Sequence, residues 1–117
     1  MAQAPYIPDR GDAIWLDFDP QTGRGQAGRG PALVLSPAAY NRKSGLALTC
    51  PITSQSKGYP FESAVPPNLP IRGVVLSDQI RCLDWQKRQA KRIVRVPETL
   101  LQDVTAKLAA LLGLDES

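Results

Sequence analysis

The sequence predicts a mainly β domain with one C-terminal α-helix, its antiparallel strands bent into a small barrel or a strongly curved sheet. Three observations lead there. Seven short segments read as strands and are separated by Gly, Pro and charged turn residues. Only one segment, near the C-terminus, repeats its apolar residues at helical spacing. No strand is followed by a helix in the alternation that a parallel βαβ sheet requires. At 117 residues the chain is one domain, 1–117, with room for a modest core and none for a second catalytic unit.

The elements follow in order. From Gly11 to Asp19, Ile14, Leu16 and Phe18 alternate with Trp15, Asp17 and Asp19, so one face of a strand turns inward and the other outward. Gln21 to Gly30 holds four of the nine glycines and is a loop, since glycine weakens any element interior. Pro31–Ser36 (PALVLS) and Leu46–Ser54 (LALTCPITS) are apolar, partly β-branched runs suited to central strands, with a polar turn from Tyr40 to Gly45 between them. Phe61–Val65, Gly73–Ser77, Ile80–Trp85 and Arg92–Val96 are further short strands. Pro97–Leu112 is the helix: Leu100, Leu101, Val104, Leu108, Leu111 and Leu112 fall on one face, Pro97 suits the first turn and Gly113 the C-terminal cap.

Composition removes several kinds of chemistry. The chain has no histidine, which excludes Cys-His and Ser-His-Asp catalysis and the two-histidine ribonuclease mechanism. Cys50 and Cys82 are lone thiols without a CxxC, so neither a metal site nor any cofactor is expected. No apolar run approaches the roughly 18 residues of a membrane span, and the N-terminus lacks a signal-peptide pattern, so a cytoplasmic protein with no membrane contact is expected. The net charge of +3 is small but uneven. Pro20 to Phe61 carries Arg24, Arg29, Arg42, Lys43 and Lys57 and no acid, and Arg81 to Arg95 has six bases against Asp84 alone. Folded together, these segments make an anion-binding face.

The glycine loop lacks the Lys-Ser/Thr of a P-loop and runs into a strand, so it is no nucleotide fingerprint. It offers Arg24 and Arg29 with bare backbone N–H groups, a set able to wrap a phosphodiester. Ile52–Gly58 (ITSQSKG) sets hydroxyls, an amide and Lys57 at a strand exit, where they suit sugar, base edge or phosphate. In Leu76–Trp85 a period of two puts Ser77, Gln79 and Arg81 on one face, with Asp78 and Ile80 on the other. Trp15 and Trp85 suit core, base stacking or a partner contact; Trp15 lies off the inward set, which favours an interface.

Four stretches in order resemble the MazF/PemK toxin family: Gly11–Pro20 (GDAIWLDFDP), the Gln26–Gly28 loop leading to Pro31–Pro37 (PALVLSP), Thr53–Glu62 (TSQSKGYPFE) and Leu76–Ile80 (LSDQI). The resemblance implies an SH3-like barrel of the PemK/CcdB type, a homodimer and a toxin of a type II toxin–antitoxin system. It also implies sequence-specific, metal-independent cleavage of single-stranded RNA to 2′,3′-cyclic phosphate and 5′-hydroxyl ends, and a MazE-like antitoxin that fills the substrate groove. The family's catalytic threonine falls on Thr53. Its arginine falls on Gly30, which leaves Arg29, one position earlier and glycine-flanked, to take that role. RNA contacts are then expected from Arg24, Ser54, Gln55, Lys57, Gln79 and Arg81, and an antitoxin contact from Trp15. The alternatives are a CcdB-like gyrase-inhibiting toxin with no nuclease activity and a non-catalytic RNA-binding module.

Overall fold

The computed structural model describes residues 6–18 and 28–114. Seven strands and two helices follow one another as β1 (Asp12–Asp17), β2 (Arg29–Val34), α1 (Ala38–Ser44), β3 (Leu46–Thr53), β4 (Glu62–Ala64), β5 (Val74–Leu76), β6 (Arg81–Asp84), β7 (Lys91–Arg95) and α2 (Glu98–Leu111). Each strand overlaps a segment expected from the sequence, and every pairing is antiparallel.

Of the two expected forms, small barrel or bent sheet, the described residues show an open, forked sheet of order β4-β5-β3-β2-β1-β7, with β6 also on β3, and not a closed barrel. One edge of β3 pairs with β2. The other is divided: Leu46–Thr49 lies against β6, and Ile52 and Thr53 lie against β5. Among the described residues β4 and β7 end the path without pairing to each other. The fork is what places the end of β3 next to the β5–β6 turn.

Successive strand residues point to opposite faces, and both faces of β1 are buried at its centre. Ala13 joins Leu33, Cys50, Ile52 and Val75 against Leu100, Leu101 and Val104 of α2. Ile14 and Leu16 join Ala32, Val34, Ala47, Leu83 and Trp85 on the other side. Each fully buried Leu, Ile or Val contributes about 1.5–3 kcal/mol. Trp85 is thus core, while Trp15 stays 36% exposed.

The polar turn expected at Tyr40–Gly45 is instead the helix α1, closed by Gly45 at φ 74° with its N–H on the Asn41 carbonyl. Its two turns carry no apolar stripe, because the residue it buries is polar. Asn41 Nδ2 donates to the carbonyls of Pro8 (2.7 Å) and Ser36 (2.9 Å), its Oδ1 accepts from Ser36 Oγ, and its carbonyl accepts from Trp85 Nε1 at 2.9 Å. Asp9 accepts the Ala38 N–H at 2.9 Å, and this bond, with that from Arg10 N, holds its carboxyl below the usual range. The α2 helix ends as expected before Gly113, whose φ is 75°.

Candidate active site

Beyond Thr53 the chain leaves the sheet, and the loop to β4 faces the β5–β6 turn across a cavity of about 250 Å³. Thr53, Gln55, Lys57 and Gln79 line it, four residues singled out from the sequence. Tyr59, Glu62, Leu76 and Asp78 complete the lining and were not singled out. The cavity therefore offers a hydroxyl, two amides, one cation, a phenol ring and two carboxylates around a short apolar floor.

Thr53 is fixed from behind. Gly73 lies so close that an added Cβ would sit 1.9 Å from the Thr53 carbonyl oxygen, and its φ of 115° suits glycine alone. Thr53 Oγ1 accepts the Gln55 N–H at 3.2 Å, which turns the chain out of β3 and leaves the hydroxyl proton to donate. Glu62 binds the loop: its carboxylate accepts Ser56 Oγ (2.8 Å), Lys57 N (2.9 Å) and Gly58 N (3.1 Å). These bonds, led by that from Lys57 N, pull its pKa below the ordinary carboxylate value.

The period-two reading of Leu76–Trp85 fails at its start. Leu76 to Gln79 form a turn, with Gln79 N donating to Leu76 O at 3.1 Å, so Ser77 is buried and Asp78 and Gln79 both reach the cavity. Arg81 is exposed at the start of β6, its carbonyl accepting from Thr49 Oγ1 at 3.2 Å, and does not line the cavity. Ser54 is exposed on the loop beside it, again outside the lining. The signals for Glu62 and Asp78 were their places in the Thr53–Glu62 and Leu76–Ile80 motifs.

Arg29 sits elsewhere. It faces Asp17 in the β1–β2 register and pairs with it at 2.8 Å. The same guanidinium donates to the carbonyls of Arg88 and Gln89 in a turn where Gln89 has φ 55°. Continuing the β2–β3 register past Ala32↔Pro51 puts Gly30, not Arg29, across from Thr53. The Phe18 ring covers Gly30, 2.9 Å from where a Cβ would stand. Next to Asp17 and Phe18 lies a second, more open depression of about 440 Å³, bordered by Lys87 and Arg88. Trp15 is across from Pro31 and Lys91 on β1. Arg24 lies outside the described residues.

Among the described residues no three His, Cys, Asp or Glu side chains gather as a metal site. Cys50 is buried, which pushes its thiol up to about 12 and leaves it unreactive. No helix is long and apolar enough to cross a membrane among the described residues.

Comparison with known proteins gives one consistent result. The model of the PemK-like, MazF-like toxin family of type II toxin–antitoxin systems matches residues 9–112. The chain is 48% identical over 108 residues to the endoribonuclease toxin MazF of Escherichia coli K12, covering 92% of this chain and 96% of the relative. A crystal structure of MazF from Deinococcus radiodurans superimposes with a TM-score of 0.86 at 52% identity, covering 93% of this chain and 99% of that one. A MazE–MazF structure from the same organism gives 0.85 at 48% identity, covering 95% and 100%.

Proposed function

Because this chain belongs to the PemK-like, MazF-like toxin family, we propose that it cuts single-stranded RNA by attack of a ribose 2′-hydroxyl on the adjacent phosphorus, which breaks the bond to the 5′-oxygen and leaves a 2′,3′-cyclic phosphate and, with the proton given up by the 2′-oxygen, a 5′-hydroxyl. It is an endoribonuclease toxin of a type II toxin–antitoxin system, not a CcdB-like gyrase inhibitor. The observation that carries the mechanism is the cavity in which Thr53 stands among Gln55, Lys57 and Gln79.

The attacking oxygen belongs to the substrate, so the protein's work is in-line positioning and stabilisation of charge on the phosphoryl oxygens. Thr53 donates its hydroxyl to one of them, Lys57 supplies positive charge, and Gln55 and Gln79 read base edges, with Ser54 and Arg81 contacting the flanking strand. Arg29 is the arginine of the reaction: it exchanges Asp17 for the phosphodiester, a movement that Gly28 and Gly30 on either side permit, and Arg24 contacts the RNA from the same loop. A guanidinium is a permanent cation near neutral pH, so its part is electrostatic and it makes a poor base. The chain has no histidine to act as one. Cleavage then needs no metal.

The functional form is a cytoplasmic homodimer. A MazE-like antitoxin silences it by laying an acidic, extended segment over the basic loops, with an apolar anchor at Trp15.

The test is incubation of the purified protein with a long single-stranded RNA in EDTA, followed by mapping of the new ends. Discrete cuts ending in cyclic phosphate, abolished by a single 2′-deoxy substitution 5′ to the scissile bond, are expected. Loss of cutting in EDTA, or cutting at the 2′-deoxy position, defeats this mechanism.

A further inference from the structure

We propose that Glu62 is the positioning residue of the RNA groove: its carboxylate holds the backbone of Lys57 so that the lysine side chain is presented to the substrate. This rests on the reading of the cavity as the RNA site. The loop between β3 and β4 has no ladder bonds of its own, yet both Glu62 oxygens are engaged by it. Oε1 takes Ser56 Oγ and the Gly58 N–H, and Oε2 takes the Lys57 N–H. Gly58 has φ 75°, the conformation that turns its N–H inward with those of its neighbours.

The anchor itself is rigid. Glu62 is in register with Leu76 of β5, its N–H donates to Tyr59 O at 3.1 Å, and its carbonyl accepts from Lys107 Nζ of α2 at 2.9 Å. Asp103 and Ser63 hold the same ammonium at 2.9 and 3.2 Å. A chain of contacts thus runs from α2 through Lys107 to β4 and from Glu62 to the loop that carries Lys57. The carboxylate is engaged by two backbone N–H groups and the Ser56 hydroxyl and not by the Lys57 ammonium, which is left to meet an incoming phosphate. A carboxylate held this way is also a poorer base than a free one, which assigns Glu62 to placement and not to proton transfer.

Glu62→Gln preserves shape but sets an amide donor against the N–H groups that the carboxylate accepts. The experiment measures binding of a 2′-O-methyl single-stranded RNA, which cannot be cut, across a salt series. Wild type, Glu62→Gln, Lys57→Ala and the double variant are compared, with thermal melts as a control for folding. Glu62→Gln is expected to weaken binding about tenfold. It should also lower the salt slope by about 0.7, the value of one phosphate contact on a single strand. Lys57→Ala added to it should cost little more, and Glu62→Asp should recover part of the loss. Wild-type affinity and slope in a folded Glu62→Gln, or full additivity with Lys57→Ala, overturns the proposal, as does failure of the wild type to bind RNA. Should Glu62→Gln not fold, Ser56→Ala reads the same network, with a smaller loss of affinity expected and none overturning it. Wild-type protein that binds but does not cut unmodified RNA refutes the nuclease mechanism, while the binding series still decides the role of Glu62.

Discussion

Thr53 and Arg29 were assigned one reaction from the sequence, and the structure builds their surroundings in opposite ways. Thr53 ends a central strand, is backed by Gly73, and opens into a loop whose anchor, Glu62, lies in the same sequence motif. Arg29 begins the neighbouring strand, and its anchors come from afar: Asp17 twelve residues back and Gln89 sixty residues on. The Thr53 side chain thus lines an open cavity, whereas the Arg29 guanidinium is already bound by the protein. A site assembled from one contiguous motif carries its geometry with it, while a shifted residue takes whatever partners its new register supplies.

The largest expected effect lies on the Thr53 side. Thr53→Ala should reduce cleavage by about two to three orders of magnitude with the melting temperature nearly unchanged, since it removes a donor that acts on developing charge. Arg29→Ala and Arg24→Ala belong in the same assay. If Arg29→Ala cleaves like wild type and Arg24→Ala is inactive, the arginine role passes to Arg24, and Arg29 is a structural latch.

Next in size is the support behind Thr53. Gly73→Ala places a methyl against the Thr53 carbonyl at a φ unsuited to alanine, and should cost about 3 kcal/mol in chemical denaturation. A loss below about 1 kcal/mol would mean that the β3–β5 contact is far softer than the geometry implies.

On the Arg29 side the expected effects are smaller. The Asp17 pair is about one-third exposed, so Asp17→Asn should destabilise by no more than about 1 kcal/mol. If Arg29 leaves Asp17 to engage RNA, the same change should raise kcat/KM a few-fold, by about the fraction of that pairing energy no longer opposing the exchange. Lower cleavage in Asp17→Asn would show instead that Asp17 holds Arg29 where it works.

These contrasts also mark how much was legible beforehand. All seven strands and α2 were readable, because apolar alternation and an apolar helical stripe are local signals. The α1 helix was not, since its purpose is to bury Asn41 between Ser36, Pro8 and Trp85, contacts that no periodicity encodes. The open fork at β3 escaped notice because one strand changes partners midway along one edge. Of the cavity's lining, Thr53, Gln55, Lys57 and Gln79 were legible from motif and strand exit. The alternation set Asp78 on the face away from Gln79, and the turn from Leu76 to Gln79 breaks that alternation. The exact partner of Arg29 depends on which residue stands across β1, a matter of register that sequence leaves open.

The smallest predicted effect separates the anchor chain of the groove from a remote acid by pH. Asp103 is held below its ordinary value of 3.8, chiefly by the hydrogen bond from Lys107, which also grips β4 at Glu62. Asp9 is lowered too, chiefly by the N–H of Ala38 at the start of α1. A carboxyl whose folded pKa is depressed contributes its stability in full above the unfolded value, and that contribution is lost as pH falls through the folded one. Both acids are about half exposed, so each should be worth only a few tenths of a kcal/mol after solvent screening. Asp103→Asn and Asp9→Asn should therefore melt slightly below wild type at neutral pH, and the gap should close as pH falls below about 3.8. Only Asp103→Asn should also weaken RNA-analogue binding, because only that acid steadies the lysine that holds β4. A stability gap independent of pH would exclude the ionised carboxylates as its source, and equal effects of the two variants on RNA binding would break the link from α2 to the groove.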